Sequence, residues 1–207
     1  MINECPPPGQ AYIPTPPLFQ VNFPALLQGA RCYTDAAIAP DQANQHMRKA
    51  DLGVFILEPR RKLMIHIKAI ATANSVIMAE AAAISLAGTI LSTMQIQDVF
   101  FLTDNQQMVH FFNGSDHSDP PHWDIKPLTQ KFLNTSSTMN WKVAKINRRL
   151  DATADSLATQ AFRSTCADNN HVHIRCSNND HVSNCPTREA LQSVTWEPFI
   201  PLAASCC

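Results

Sequence analysis

Glycine is scarce in this chain, five residues in 207 against fifteen prolines. No GxGxxG or Walker-type run occurs, so the glycine-rich phosphate cradles are excluded. Charge is scarce as well: Asp, Glu, Lys and Arg make up 16% of the residues, and the formal net charge is −1. Such a balance excludes a strongly basic footprint for nucleic acid across the whole protein, though not a local one. Residues 1–30 hold no Lys or Arg, so the amino end lacks the basic start of a secretory or organelle-targeting peptide. The longest apolar run falls well short of a membrane span, and no membrane partner is expected. The seven cysteines are odd in number and irregularly spaced. With no secretory signal beside them, a reduced intracellular compartment is expected, nucleus or cytoplasm alike. What is abundant is apolar side chain, 45% of the total. At this length that suffices for one real core without disulfide or metal staples, and it excludes global disorder.

The ends read differently from the middle. Residues 1–28 hold seven prolines and a single acid, Glu4, and read as an extended, polyproline-like extension. Residues 164–207 are rich in Asn, Ser, His and Cys and lack a sustained apolar period, so an irregular tail is expected. Between them, residues 29–163 carry 14 basic and 12 acidic residues, net +2, while the remainder is net −3. This middle reads as mixed α/β. A short strand covers Arg31 to Ala36, and Gly53 to Glu58 with Leu63 to Ile70 form a hairpin across Pro59-Arg60-Arg61-Lys62. Ser75 to Met94 is a long helix with Ile77, Ala81, Ile84, Gly88 and Leu91 along one face. Then follow a strand at Val99 to Leu102, a short helix through Met108 and Phe112, and a helix near Leu128 to Leu133. A strand at Trp141 to Ile146 and a helix at Ala152 to Phe162 close the series.

With 17 acids in the chain, their placement is informative. Asp35 ends the first strand. Glu80 falls about 40° from Ile84 on the helical wheel, beside the apolar stripe, where an unpaired carboxylate is costly to bury. Asp104 follows the buried strand directly, and Asp155 lies in the first turn of the last helix. Each has an ordinary alternative: a turn residue for Asp35, an N-cap for Asp104, and a helix-dipole partner for Asp155, with Asp151 as cap. Taken together, four acids on two strands and two helices suggest a cluster for divalent cations. Mg²⁺ prefers oxygen ligands, and phosphoryl chemistry uses two ions roughly 4 Å apart.

The ordered set Tyr33-Thr34-Asp35-Ala36-Ala37, Gly53-Val54-Phe55-Ile56, Met78-Ala79-Glu80-Ala81-Ala82-Ala83, Phe101-Leu102-Thr103-Asp104-Asn105 and Ala154-Asp155-Ser156-Leu157-Ala158 resembles a type 1 ribonuclease H domain. It is most similar to the retroelement-derived, reverse-transcriptase-like branch abundant in plants. The resemblance spans residues 29–163 and implies a ribonuclease H-like fold, a five-stranded mixed sheet of order 3-2-1-4-5 flanked by helices. It implies an endonuclease that hydrolyses the RNA strand of RNA–DNA hybrids with two Mg²⁺ ions, Mn²⁺ being a workable substitute. Asp35, Glu80, Asp104 and Asp155 match the four metal-binding, catalytic acids. The family often carries a His and an Asn before the last acid. Lys145 and Asp151 stand in those places here, while Arg148 is retained. The family's flexible His has no counterpart among His110, His117 and His122. A catalytically weak, retroelement-derived nucleic-acid-binding module is the alternative.

Two basic clusters suit phosphate contact, which carries no sequence information: Arg60, Arg61 and Lys62 in the hairpin turn, and Lys142, Lys145, Arg148 and Arg149 near the last acid. A hybrid would be read by groove shape and the 2′-hydroxyl. In the tail, Cys166, His171, His173, Cys176, His181 and Cys185 are residue types that zinc accepts. Their spacing lacks the close cysteine pair of ordinary zinc modules, so a loosely packed tail is expected instead. On this reading, residues 25–165 should fold alone.

Overall fold

The computed structural model describes residues 29–38, 48–163, 173–176 and 185–206. The proline-rich extension expected over residues 1–28 lies outside them. Seven strands form one sheet: β1 (Ala30–Ile38), β2 (Arg48–Glu58), β3 (Leu63–Ala73), β4 (Asp98–Thr103), β5 (Asn140–Lys145), β6 (His173–Cys176) and β7 (Ile200–Cys206). Their order is β5-β4-β1-β2-β3-β7-β6. The expected order 3-2-1-4-5 is therefore present, read from the other edge, and two further strands extend it beyond β3. β1 to β3 are an antiparallel meander. β4 and β5 add in parallel on the β1 side, as strands reached through helical crossovers do.

Five helices accompany the sheet: α1 (Val76–Thr93), α2 (Gln106–Asn113), α3 (Lys126–Thr135), α4 (Ala152–Arg163) and α5 (Pro186–Ser193). Ser75 caps α1, its side chain accepting from the Met78 N–H at 3.3 Å. In length and composition α1 would suit a membrane span, yet residues 79 to 91 are all buried within the fold. The single apolar face expected for it is thus too narrow. α1 is the central core helix and is enclosed all round, which is why small Ala residues dominate it. Ala50, Leu52, Val54 and Ile56 of β2 are fully buried in the same main core.

The alternating residues of β2 face α4. A Cβ at Gly53 would stand 2.1 Å from the Ala154 carbonyl oxygen and 2.7 Å from the Ala158 nitrogen. Only a residue without a side chain lets the helix backbone come this close to the strand. Because Gly53 is the register partner of Asp35, this contact seats α4 over the Asp35 end of β1.

The irregular tail expected after residue 163 is corrected by the structure. β7 pairs antiparallel with β3, β6 pairs with β7, and α5 lies between them in sequence. Leu191, Val194, Phe199, Ala204 and Cys206 join the main core, and Leu202 packs with Ile70 and Ala161 in a second cluster. Residues 25–165 are consequently not a complete packing unit. Sequence periodicity missed this because the tail's apolar residues are spread over a short helix, an extended turn and an edge strand, none long enough to show a period.

Candidate metal centre

β1 and β4 run parallel with Tyr33 opposite Leu102. Carried two residues onward, that register brings Asp35 level with Asp104, at the end of the sheet where both strands finish. Glu80 reaches the same place from the second turn of α1. Ligand oxygens of Asp35, Glu80 and Asp104 all lie within 4.8 Å of one another. Asp35 and Glu80 are only 5% and 4% exposed, so this is a recessed cluster and not a solvated acidic patch.

The ordinary explanations for these acids fall away in turn. The cap of α2 is Asn105, whose Oδ1 accepts from the Gln107 and Met108 N–H groups at 3.0 and 3.2 Å, so Asp104 does not cap it. Glu80 Oε2 is buried without a hydrogen-bond partner. Burial raises the Glu80 carboxyl well above the usual carboxylate range, with Asp35 and Asp104 adding to the effect. Asp35 is raised to about 6, first by burial and then by the charges of Asp155 and Asp104. A buried group of like charges at this spacing is unfavourable unless a cation neutralises it. All-oxygen donors, one of them orphaned, suit a hard divalent cation.

Asp155, in the first turn of α4, is half-exposed, with its Oδ1 3.4 Å from the Arg148 guanidinium. Asp151 takes the expected cap position before α4, its carbonyl accepting from the Asp155 N–H at 2.9 Å, but its side chain makes no capping hydrogen bond. It is 1% exposed, and both its oxygens lack a hydrogen-bond partner. Burial raises its carboxyl to about 8, with Asp35, Asp104 and Asp155 contributing in that order. Its charge is coupled to those of the acidic group, whereas the sequence resemblance treated Asp151 only as a departure from the family's Asn.

The basic residues divide. Lys145 pairs in register with Thr103, next to Asp104, and Lys142 lies three residues earlier on the same strand, both side chains exposed. Arg148 and Arg149 are exposed in the turn just before α4. Arg60 and Arg61 are not brought to this end. Arg60 pairs with Asp98 at 3.1 Å and Arg61 donates to the Met94 carbonyl at 3.1 Å, both at the opposite end of the sheet. Of the tail's Cys and His residues, Cys166, His171 and His181 lie outside the described residues, while His173 and Cys176 fall in β6 and Cys185 precedes α5.

Residues 40–161, more than half of the chain, match the reverse transcriptase-like family. The chain belongs to that family. The matched span contains Glu80, Asp104, Asp151 and Asp155, with Asp35 just ahead of it. Among solved structures, this reverse transcriptase-like domain is similar to RNase H1 from the halophilic archaeon Halobacterium salinarum, at 18% identity and a TM-score of 0.50, covering 65% of this chain and 97% of that one. The N-terminal RNase H domain of Rv2228c from Mycobacterium tuberculosis is similar at 14% identity and a TM-score of 0.53, over 64% and 97% of the two chains. LC11-RNase H1, solved in complex with an RNA/DNA hybrid, is similar at 20% identity and a TM-score of 0.50, over 65% and 96%. These likenesses establish a ribonuclease H-like fold. No curated protein matches the chain.

Proposed function

We propose that this protein is a metal-dependent endonuclease that hydrolyses the RNA strand of RNA–DNA hybrids. The observation that carries the reading is the recessed trio Asp35, Glu80 and Asp104, with ligand oxygens within 4.8 Å on a reverse transcriptase-like fold. Asp35, Glu80, Asp104 and Asp155 would hold two divalent cations, Mg²⁺ by the hardness of their oxygens. When bound, such ions stabilise the charge that develops on the attacking and leaving oxygens of a phosphodiester.

The protein's own side chains supply the rest. Asp35, close to Glu80 and Asp104 and coupled to Asp155, would hold the cations together with them. Burial of Asp35 and Glu80 excludes bulk water and keeps the carboxylates oriented. Lys145, Arg148 and Arg149, exposed near the same end, with Lys142 three residues back along β5, would hold the phosphates of the substrate strands. Arg60 and Arg61 lie at the far end of the sheet, away from these acids.

The test is cleavage of a labelled RNA–DNA hybrid by purified protein with Mg²⁺, beside Asp35→Asn. Wild-type cleavage should require the cation, and Asp35→Asn should lose it by at least about 100-fold, as expected when transition-state charge goes unstabilised. Equal activity in both proteins, or cleavage in chelator, would sink the reading. Salt-sensitive hybrid binding without cleavage would instead favour a non-catalytic binding module.

A further inference from the structure

The face of the sheet that carries α4 is only partly covered. On the opposite face, against α1, Cys32, Val54, Ile56, Ile65 and Ile67 are fully buried in the main core. On this one, α4 lies over the register row Asp35, Gly53 and Lys68: it touches Gly53, and Lys68 Nζ donates to Gln160 Oε1 at 2.6 Å. Alternation along the strands puts every second residue on the same face. The next row is Tyr33, Phe55 and His66, partners across β1, β2 and β3, and all three remain partly exposed. In the row beyond, Phe100, Arg31 and Leu57 are partly exposed as well, and Met64 is 36% exposed.

The three rings of the first row form one stack. Phe55 and His66 have centroids 4.7 Å apart and planes at 24°, and Tyr33 adjoins Phe55 at 5.7 Å and 31°. Burial and the neighbouring Lys68 hold the His66 imidazole below its ordinary pKa, so at neutral pH it stacks uncharged. Cations flank the stack: Arg31 two residues before Tyr33, and the exposed Lys142 as the β5 partner of Phe100. Arg31 Nε is buried without a hydrogen-bond partner, and among the described residues no acid pairs with Arg31. Neither row contains an Asp or Glu. An apolar partner would bury Arg31 unpaired, and a second copy of this face would add like charges to it. Rings on neighbouring strands beside unpaired cations instead suit single-stranded nucleic acid, which offers flat bases and phosphates together.

We infer that this sheet face binds single-stranded nucleic acid, with bases against the Tyr33–Phe55–His66 stack and phosphates on Arg31 and Lys142. Tyr33 stands two residues before Asp35 on the same face of β1, so a strand held here adjoins the acidic centre. The inference goes beyond the nuclease reading and does not depend on it, because this binding needs no cation and breaks no bond.

Fluorescence anisotropy of the full-length protein with labelled oligo(U) and oligo(dT) of about 12 nucleotides, in chelator, tests this without any cleavage. Wild type should bind at least one of them, more weakly as salt rises. Phe55→Leu, which stays apolar but loses the ring, should weaken binding about tenfold, the scale of one lost stacking contact. Arg31→Gln should weaken it and make the salt dependence shallower. Arg188→Gln is the control: it removes one exposed charge from α5, which packs on the α1 side, and should bind as wild type does. A 4-thiouridine oligonucleotide, photocrosslinked to wild type, should mark peptides carrying Tyr33, Phe55 or His66. That map and Arg31→Gln decide the matter if thermal melting shows Phe55→Leu to be unfolded. No binding by wild type, crosslinks confined to other peptides, or equal losses in Arg31→Gln and Arg188→Gln would overturn the inference. So would a wild-type dimer in sedimentation that Phe55→Leu dissociates, since a second copy would then cover the face. Failure of hybrid cleavage bears on the nuclease reading alone.

Discussion

Asp35 and Asp151 hold their protons to about 6 and about 8, whereas an unfolded aspartate ionises near 3.8. Between these values the folded, metal-free protein binds more protons than the unfolded chain. Stability therefore falls as pH rises from about 4 towards about 8. The burial-driven rise of Glu80 acts in the same sense. In chelator, the melting temperature should be higher at pH 5 than at pH 8. Saturating Mg²⁺ should shrink that difference, because a cation neutralises the same charges that protons do. A flat or rising profile in chelator would show that the acids do not repel one another as their burial requires. Glu80→Gln should also stabilise the metal-free protein at pH 8 while weakening Mg²⁺ binding, an opposition that thermal melts with and without the ion would reveal. A merely structural carboxylate would move both in one direction.

The contact between β2 and α4 decides where the last acids stand. A methyl at residue 53 would meet backbone atoms at 2.1 and 2.7 Å, and backbone cannot rotate away as a side chain can. Gly53→Ala should therefore push α4 off the sheet and cost roughly 1–3 kcal/mol, the range for overpacking a well-filled site. Since Asp155 lies on α4, Mg²⁺ affinity should fall as well. Chemical denaturation and Mg²⁺ titration of the variant check both expectations; unchanged affinity in a destabilised protein would mean that α4 does not position these acids. At α2, Asn105→Ala removes two cap bonds and should cost about 1 kcal/mol. Its activity should survive at low temperature, because Asp104 is held by β4 and not by the cap.

On the scale of the whole chain, the segment after residue 163 is part of the fold. β7 covers the edge of β3, and Leu191, Val194, Phe199 and Leu202 are all buried. Burying four such side chains contributes about 1.5–3 kcal/mol each, comparable in sum with the entire net stability of an ordinary domain. Removal would also leave β3 as an unpaired edge beside exposed apolar surface, a template for aggregation. A protein of residues 25–165 should accordingly be insoluble, or melt at least about 10 °C below the full chain on the usual relation between stability and melting temperature. Equal melting temperatures would show that β6, α5 and β7 only decorate a self-sufficient sheet.

Much of this was legible before any coordinates. The hairpin, the long Ala-rich helix, the buried strand at Phe100-Phe101-Leu102 and the last helix all lie close to where their periodicity places them, because each signal is local. The four acids stood out for the same reason: Glu80 beside an apolar stripe and Asp104 at a strand end are anomalies within a few residues of chain. Three features were not legible. Asp151 reads as a helix cap from its neighbours, and its burial depends on how closely α4 packs on the sheet at Gly53, a contact between residues about a hundred positions apart. Arg60 and Arg61 read as substrate contacts, yet the direction of the hairpin carries them to the end of the sheet away from the acids. The tail reads as irregular, since β7 acquires its meaning from β3, more than a hundred and thirty residues earlier. Local pattern specifies which segments become helix or strand. Which charges come to share one low-dielectric pocket, and which edges are covered, depends on contacts that only the folded chain brings together.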